Sequence, residues 1–160
     1  MTDERDENGE FLPDEVRLTD FGKFLRSTSL DELPELFTIL KGEMAVIGPR
    51  PQLVKDMVFM TDEQRQRHSV RPGLSGLAQI RGRNAISWEE KLVLDLEYIN
   101  RITFYKDAAI VLETIYKSIK REGITDGDFA TALDYGDWLL LNGYIDEHTY
   151  NELIQSIDNH

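Results

Sequence analysis

The stretch "SWEEKLVLDLEYI", residues 87–99, decides how the centre of this chain folds. It opens with Ser87 and Glu90 at the spacing of a capping box, a pattern typical of the first turn of a helix. Apolar residues then recur at helical spacing along one face: Trp88, Leu92, Leu96 and Ile99. We therefore predict a helix whose apolar face lies in the core.

Asp95 interrupts that apolar face. It lies between Leu92 and Ile99 on the same stripe, where a carboxylate that loses its water needs a compensating partner. A structural arginine is the usual partner, whereas a metal or a substrate contact is the alternative. The spacing alone leaves both open.

Outward from this helix, the chain alternates helical patterns with short apolar runs. Helices are predicted over 14–26, over about 33–42 with Gly42 as C-cap, and over 108–121. The last of these either packs in the core or lies on a membrane surface. "MAVIG" (44–48) reads as a short strand, and "VRPGLSGLAQIRGRN" (70–84) as turns with a small hairpin. The predicted fold class is α+β, mainly α-helical with a small β-hairpin and short strands.

Charge and composition exclude several classes of protein. The net charge of −12 argues against nucleic-acid binding, and a chain without cysteine has no disulfide framework or thiolate nucleophile. Residues 64–88 contain no acid, although they carry five arginines: Arg65, Arg67, Arg71, Arg81 and Arg83. This basic island predicts a local anionic ligand, with phosphate as the first candidate.

The composition changes near residue 125. Residues 122–160 hold nine acids and no lysine or arginine, with apolar residues that predict two short helices around "NGYI". We divide the chain into a first region, 1–124, and an acidic helical C-terminal appendage, 125–160. The appendage is predicted to bind a partner or a second copy of the chain.

Two adjacent carboxylates, Asp31 and Glu32, stand in "SLDELPELF", residues 29–37. Pro34 is best tolerated in the first turn of a helix, so both acids are placed at a helix N-terminus. There they either cap the helix or take part in phosphoryl chemistry, one as an aspartyl nucleophile and the other as a magnesium ligand. Neighbouring helical residues point about 100° apart, so the two acids would not share one role.

Further phosphate-binding candidates follow in the chain. Arg50 lies between two prolines in "GPRPQ", where a stiff backbone would direct its guanidinium at little entropic cost. A surface loop with a merely solubilising arginine is the alternative. A glycine-containing loop follows whose backbone amides could approach a nucleotide; its residues are Gly73, Gly76, Arg81, Gly82, Arg83 and Asn84.

Taken together, these motifs resemble the bacterial sugar transferase family, the monotopic polyprenyl-phosphate phosphoglycosyl transferases. The resemblance covers about residues 1–124 and rests on three linked stretches: "FGKFLRSTSLDELPELFTILKGEMAVIGPRP", "RHSVRPGLSGLAQIRGRN" and "SWEEKLVLDLEYI". It implies transfer of a sugar 1-phosphate from a UDP-sugar to undecaprenyl phosphate, with release of UMP. This step would initiate assembly of a surface glycan such as an exopolysaccharide, a capsule, an O-antigen or a glycoprotein glycan.

The resemblance also assigns roles to residues. Asp31 and Glu32 are implied to be catalytic, with Asp31 forming a covalent phosphosugar intermediate and Glu32 binding Mg²⁺. The implied substrate and phosphate ligands, with Arg71 and Arg81 added from the basic island, are Arg26, Arg50, Arg71, Arg81, Arg83, Asn84 and Asp95. The expected location is the cytoplasmic face of the bacterial inner membrane, peripheral or soluble for this chain.

The amino-terminal membrane helix of the family has no counterpart in this sequence. We therefore expect a region truncated at its amino terminus relative to the family, reaching the membrane through a further segment or a partner. A rival hypothesis is a catalytically inactive remnant that binds a nucleotide sugar or another protein. A generic phosphate-binding helical domain would explain the arginines but not the linked motifs.

Overall fold

The computed structural model describes residues 2–6, 9, 12, 14–17, 19–27, 33–82, 86–120 and 133–158. Its first helices are α1 (Asp14–Arg17), α2 (Asp20–Ser27) and α3 (Glu35–Leu40). The single helix predicted over 14–26 is wrong, because Thr19 starts a new helix: its Oγ1 accepts the amide of Gly22 at 3.1 Å. At the end of α3, Gly42 takes a positive φ of 79° and closes the helix as predicted.

A two-stranded parallel sheet follows. Strand β1 (Ala45–Ile47) pairs with β2 (Gly73–Ser75), with Ala45 opposite Gly73 and Ile47 opposite Ser75. The hairpin predicted within 70–84 is wrong for the residues described there, since β2 pairs with an earlier strand and runs into α5 (Leu77–Arg81). The fold class, mainly α-helical with short strands, is confirmed.

Parallel strands need a crossover connection, and here it consists of short helical turns. They are a first 3₁₀ helix (Val54–Phe59), α4 (Asp62–Arg65) and a second 3₁₀ helix (Gln66–Ser69). The backbones meet closely where the crossover begins and ends: a Cβ on Gly73 would lie 2.0 Å from the amide nitrogen of Gly48. The glycines are therefore needed for close approach rather than for a turn.

The first core lies between the sheet and two long helices, α6 (Trp88–Asn100) and α7 (Phe104–Lys120). The predicted capping box of α6 is present, with both Ser87 and Glu90 engaged. Five buried residues form this core: Ile47, Leu77, Ile80, Tyr98 and Ile110. The core fixes α6 against α5 and the sheet.

Helix α7 is only partly covered. Ile110 is buried, whereas Leu112 is 69% exposed and Ile119 is 78% exposed. The predicted packing in the core is confirmed for one side of the helix, whereas the other side leaves apolar side chains exposed and the membrane-surface alternative stays a prediction. Within the described residues, no helix has the length and apolar character needed to span a membrane.

The C-terminal region forms two helices, α8 (Tyr135–Leu141) and α9 (Glu147–Asp158), as predicted. They pack on the first 3₁₀ helix and build a second core of buried Met60, Leu92, Tyr135 and Leu139. The rings of Phe59 and Tyr150 stack with centroids 5.3 Å apart. The described part of the acidic appendage therefore covers apolar residues of the preceding region.

Candidate active site

The two carboxylates Asp31 and Glu32 lie outside the described residues, immediately before the first residue described in this segment, Leu33. Pro34 has helical dihedrals, and its carbonyl accepts the amide of Phe37 at 3.1 Å. The predicted helix start at this proline is confirmed, with Pro34 as the N-cap residue that immediately precedes α3. The roles of the two acids stay predictions.

Arg50 lies in the loop between β1 and the first 3₁₀ helix, and its side chain is exposed. Two hydrogen bonds to backbone carbonyls hold this loop, one from a backbone amide and one from a side chain. The amide of Gly73 donates to the carbonyl of Pro49 at 2.9 Å, and Nη2 of Arg67 donates to the carbonyl of Arg50 at 2.8 Å. The carbonyls of two successive residues in the loop, Pro49 and Arg50, are therefore both anchored.

Asp95 is buried and paired with Arg67. Nε and Nη2 of Arg67 both donate to Oδ2 of Asp95, at 2.9 and 2.7 Å, and the two residues are 2% and 3% exposed. Burial raises the pKa of Asp95, whereas the charge and hydrogen bonds of Arg67 oppose that rise. The structure thus shows the arginine partner, one of the two alternatives that the sequence left open.

Lys91 adds a second cation beside this pair. It lies one turn before Asp95 on α6 and places its Nζ 5.0 Å from the ring centroid of Trp88. Burial lowers the pKa of Lys91, and the positive charge of Arg50 lowers it further. The positive charges of Lys91 and Arg50 thus oppose one another, while the negative charge of Asp95 favours the protonated lysine.

The structure describes three of the remaining candidates, Arg71, Arg81 and Arg26. Arg71 is exposed, and its Nη1 is 3.7 Å from the position that a Cβ on Gly42 would take, so it lies beside the end of α3. Arg81 is exposed in the last turn of α5. Arg26 belongs to α2, while Arg83 and Asn84 lie outside the described residues.

Sequence reasoning missed Arg67 and Lys91. The signal for Arg67 was the buried position expected of Asp95, but five arginines of the basic island were equally eligible as partners. The signal for Lys91 was its i, i+4 spacing from Asp95. In the described part of the chain no three His, Cys, Asp or Glu side chains are grouped to hold a metal, and the predicted ligand Glu32 lies outside that part.

Comparison with known proteins gives these residues a family context. The family model described as bacterial sugar transferase matches residues 1–121. The uncharacterized sugar transferase EpsL of Bacillus subtilis is 48% identical over 132 residues, which are 82% of this chain and 65% of that protein.

Two further relatives have names that state an activity. The galactosyl transferase CpsE of Streptococcus agalactiae is 43% identical over 105 residues, or 65% of this chain and 23% of that protein. The undecaprenyl-phosphate galactose phosphotransferase of Salmonella typhimurium is 37% identical over 112 residues, or 70% of this chain and 24% of that protein. The chain thus spans less than two thirds of the length of each of these relatives.

Proposed function

The chain belongs to the bacterial sugar transferase family, and from this premise we propose that it is a phosphoglycosyl transferase. It would transfer a sugar 1-phosphate from a UDP-sugar to undecaprenyl phosphate and release UMP. The observation that carries the proposal is the family match over residues 1–121, together with a relative named for undecaprenyl-phosphate phosphotransfer. The exposed Arg50 supports it, because a guanidinium binds phosphate oxygens through charge-assisted hydrogen bonds.

The proposed reaction has two displacements at phosphorus. A carboxylate oxygen of Asp31 attacks the β-phosphorus of the UDP-sugar, a new oxygen–phosphorus bond forms, and the bond to the α-phosphate oxygen breaks to release UMP. A phosphate oxygen of undecaprenyl phosphate then attacks the same phosphorus. The acyl phosphate bond breaks, the lipid-linked diphosphate sugar leaves, and the carboxylate of Asp31 is restored.

The cationic residues would bind the substrate phosphates during both steps. Arg50 has the clearest structural support, since its loop is anchored at two carbonyls. Arg26, Arg71, Arg81 and Arg83 are proposed as further phosphate ligands, and Asn84 as a ligand on the nucleotide side. For Asp95 we propose a role through Arg67, because its buried carboxylate is already engaged there.

Magnesium is proposed as the cofactor, with Glu32 as its ligand. A carboxylate oxygen is the type of ligand that Mg²⁺ prefers, and the cation would offset the negative charge of the two phosphates when bound. Glu32 itself would hold the ion, which leaves Asp31 to attack.

The acceptor is a lipid, so the site must work at a membrane surface. Several apolar side chains of the described residues support such a location: Phe37 on α3 is 67% exposed, Leu40 on α3 is 83% exposed, and α7 exposes Leu112 and Ile119. We propose the cytoplasmic face of the bacterial inner membrane, where the product would initiate surface glycan assembly.

UMP release tests this proposal. The purified chain is incubated with Mg²⁺, undecaprenyl phosphate and a panel of UDP-sugars that includes UDP-galactose, beside the variants Asp31→Asn and Asp62→Asn. Asp62 is an exposed acid of α4 and serves as the matched control. We expect release to fall to background only in Asp31→Asn. Full release by Asp31→Asn overturns the proposal, and binding of a UDP-sugar without release by the wild type favours the inactive binding module.

A further inference from the structure

Arg67 joins three parts of the chain that are separate in sequence. It belongs to the second 3₁₀ helix, its guanidinium holds the carboxylate of Asp95 on α6, and the same group reaches the carbonyl of Arg50. All three contacts are between 2.7 and 2.9 Å long. The side chain of Arg67 thus links α6 to the Arg50 loop.

The burial of Arg67 limits what it can do. At 2% exposure, with hydrogen bonds to two partners, its guanidinium is turned inward and is not presented to a solvent-borne ligand. Arg50 is the opposite case, since its backbone is anchored while its side chain is exposed. The contact between the two arginines therefore runs from the buried side chain to the backbone carbonyl of Arg50.

Asp95 makes this arrangement possible. A buried guanidinium without a counter-charge would be strongly destabilising, and the carboxylate supplies that charge. The carboxylate accepts hydrogen bonds from Nε and Nη2 of Arg67. Nη2 also donates to the carbonyl of Arg50. The two prolines that flank Arg50 restrict the loop further.

We propose that Arg67 is a positioning residue for phosphate binding: it fixes the carbonyl of Arg50, so that the Arg50 guanidinium projects from a rigid point toward the substrate diphosphate. Asp95 holds Arg67 in place. This inference rests on the proposed function, in which Arg50 is a phosphate ligand.

The variant Arg67→Lys separates pairing from positioning. A lysine keeps a positive charge beside Asp95, but its single ammonium lacks the planar fork that serves both acceptors. We expect KM for the UDP-sugar, and Kd for the same sugar in a direct binding assay, to rise by about tenfold, the factor that corresponds to one lost charge-assisted hydrogen bond. We expect kcat to change less than KM.

A double-mutant cycle distinguishes positioning from a general structural role. If Arg67 acts through Arg50, then Arg67→Lys has little additional effect on Kd in an Arg50→Ala background, so the two effects are not additive. Ile110→Val is the stability control, because it trims the first core without touching this network. Amide hydrogen exchange of Gly48, Arg50 and Gln52, the residues of this loop that carry an amide hydrogen, should accelerate in Arg67→Lys and not in Ile110→Val.

The outcomes separate the two proposals. If the wild type binds UDP-sugar and Arg67→Lys binds it equally well, the positioning role is overturned and the proposed function stands. The same holds if the effects of Arg67→Lys and Arg50→Ala on Kd are additive. A folded wild-type chain that neither binds nor turns over any UDP-sugar overturns the proposed function, and the inference with it. Non-additive loss of affinity supports both.

Discussion

The carboxylate of Asp56 accepts the backbone amide of Tyr135, 79 residues later in the chain, at 3.0 Å. The amide of Gly136 lies 3.5 Å from the same Oδ1 atom. Because these are the first amides of α8, Asp56 caps that helix from a distant segment. Lys55 adds a salt bridge to Asp134 at 2.5 Å, and the two residues together fasten the acidic appendage to the preceding region.

The first prediction concerns this cap. Asp56→Ala would leave buried amides of α8 without their acceptor, so we expect the free energy of unfolding to fall by about 1–3 kcal/mol. Chemical denaturation measures the change. Asp62→Ala, an exposed acid nearby in sequence, should change stability by about 0.5 kcal/mol or less. Equal effects of the two variants would contradict the capping role.

The second prediction concerns the contact between Gly136 and Phe59. A Cβ on Gly136 would lie 2.4 Å from Cε2 of Phe59, so Gly136→Ala forces the ring or α8 to move. We expect the free energy of unfolding to fall by about 1–3 kcal/mol and proteolysis within α8 to become faster. Leu141→Ala on the same helix is the control, since Leu141 is 74% exposed. Unchanged proteolysis of Gly136→Ala would show that α8 is not held at this point.

The third prediction concerns the close approach of the two strands. Gly73→Ala places a methyl group against the backbone of Gly48, and neither backbone can yield as a flexible side chain would. We expect loss of stability together with weaker UDP-sugar binding, since the Arg50 loop is anchored to Gly73 through Pro49. Val46→Ala on β1, a half-exposed site, should leave binding unchanged. Binding and stability are measured on the same samples.

The fold was predictable where local signals were sufficient. Ser87, Glu90 and the apolar stripe of α6 predict that helix without knowledge of the rest of the chain. Gly73 misled the prediction, because a glycine needed for close approach to a distant strand has the same sequence signature as one needed for a turn. Thr19 was likewise missed as a helix start within a continuous apolar pattern.

The candidate site was predictable only in part, for a physical reason. The expected burial of Asp95 predicted that its carboxylate would need a partner. Which of the five arginines of the basic island becomes that partner depends on the crossover between the strands. No local sequence pattern identified Asp56 as a capping residue, since the amides that donate to it belong to a helix far along the chain. Tertiary contacts of this kind leave no local pattern.

The fourth prediction concerns the pH dependence of α9. Oδ1 of Asp146 accepts the amide of Thr149 at 2.8 Å, and this bond holds the pKa of Asp146 below its usual value of 3.8. Because the pKa is depressed in the folded state, the stabilisation is present above the unfolded value and is lost as pH falls through the folded pKa. Asp146→Asn keeps an acceptor but does not titrate.

Thermal unfolding at neutral pH and at about pH 3 tests this effect. We expect the melting temperature of the wild type relative to Asp146→Asn to be higher at neutral pH than in acid. An offset between the two proteins that stays constant with pH would show that Asp146 does not stabilise α9 by its charge.

The covalent step at Asp31 is the central claim, and intact-protein mass spectrometry tests it most directly. The chain is incubated with Mg²⁺ and a UDP-sugar in the absence of undecaprenyl phosphate, so that the second displacement has no acceptor. We expect the wild type and Asp62→Asn to gain the mass of one phosphosugar, localised by peptide mapping to Asp31 and removed when undecaprenyl phosphate is added. Asp31→Asn should gain nothing. UMP release by a wild type that carries no adduct, or an adduct that persists in Asp31→Asn, would contradict the account.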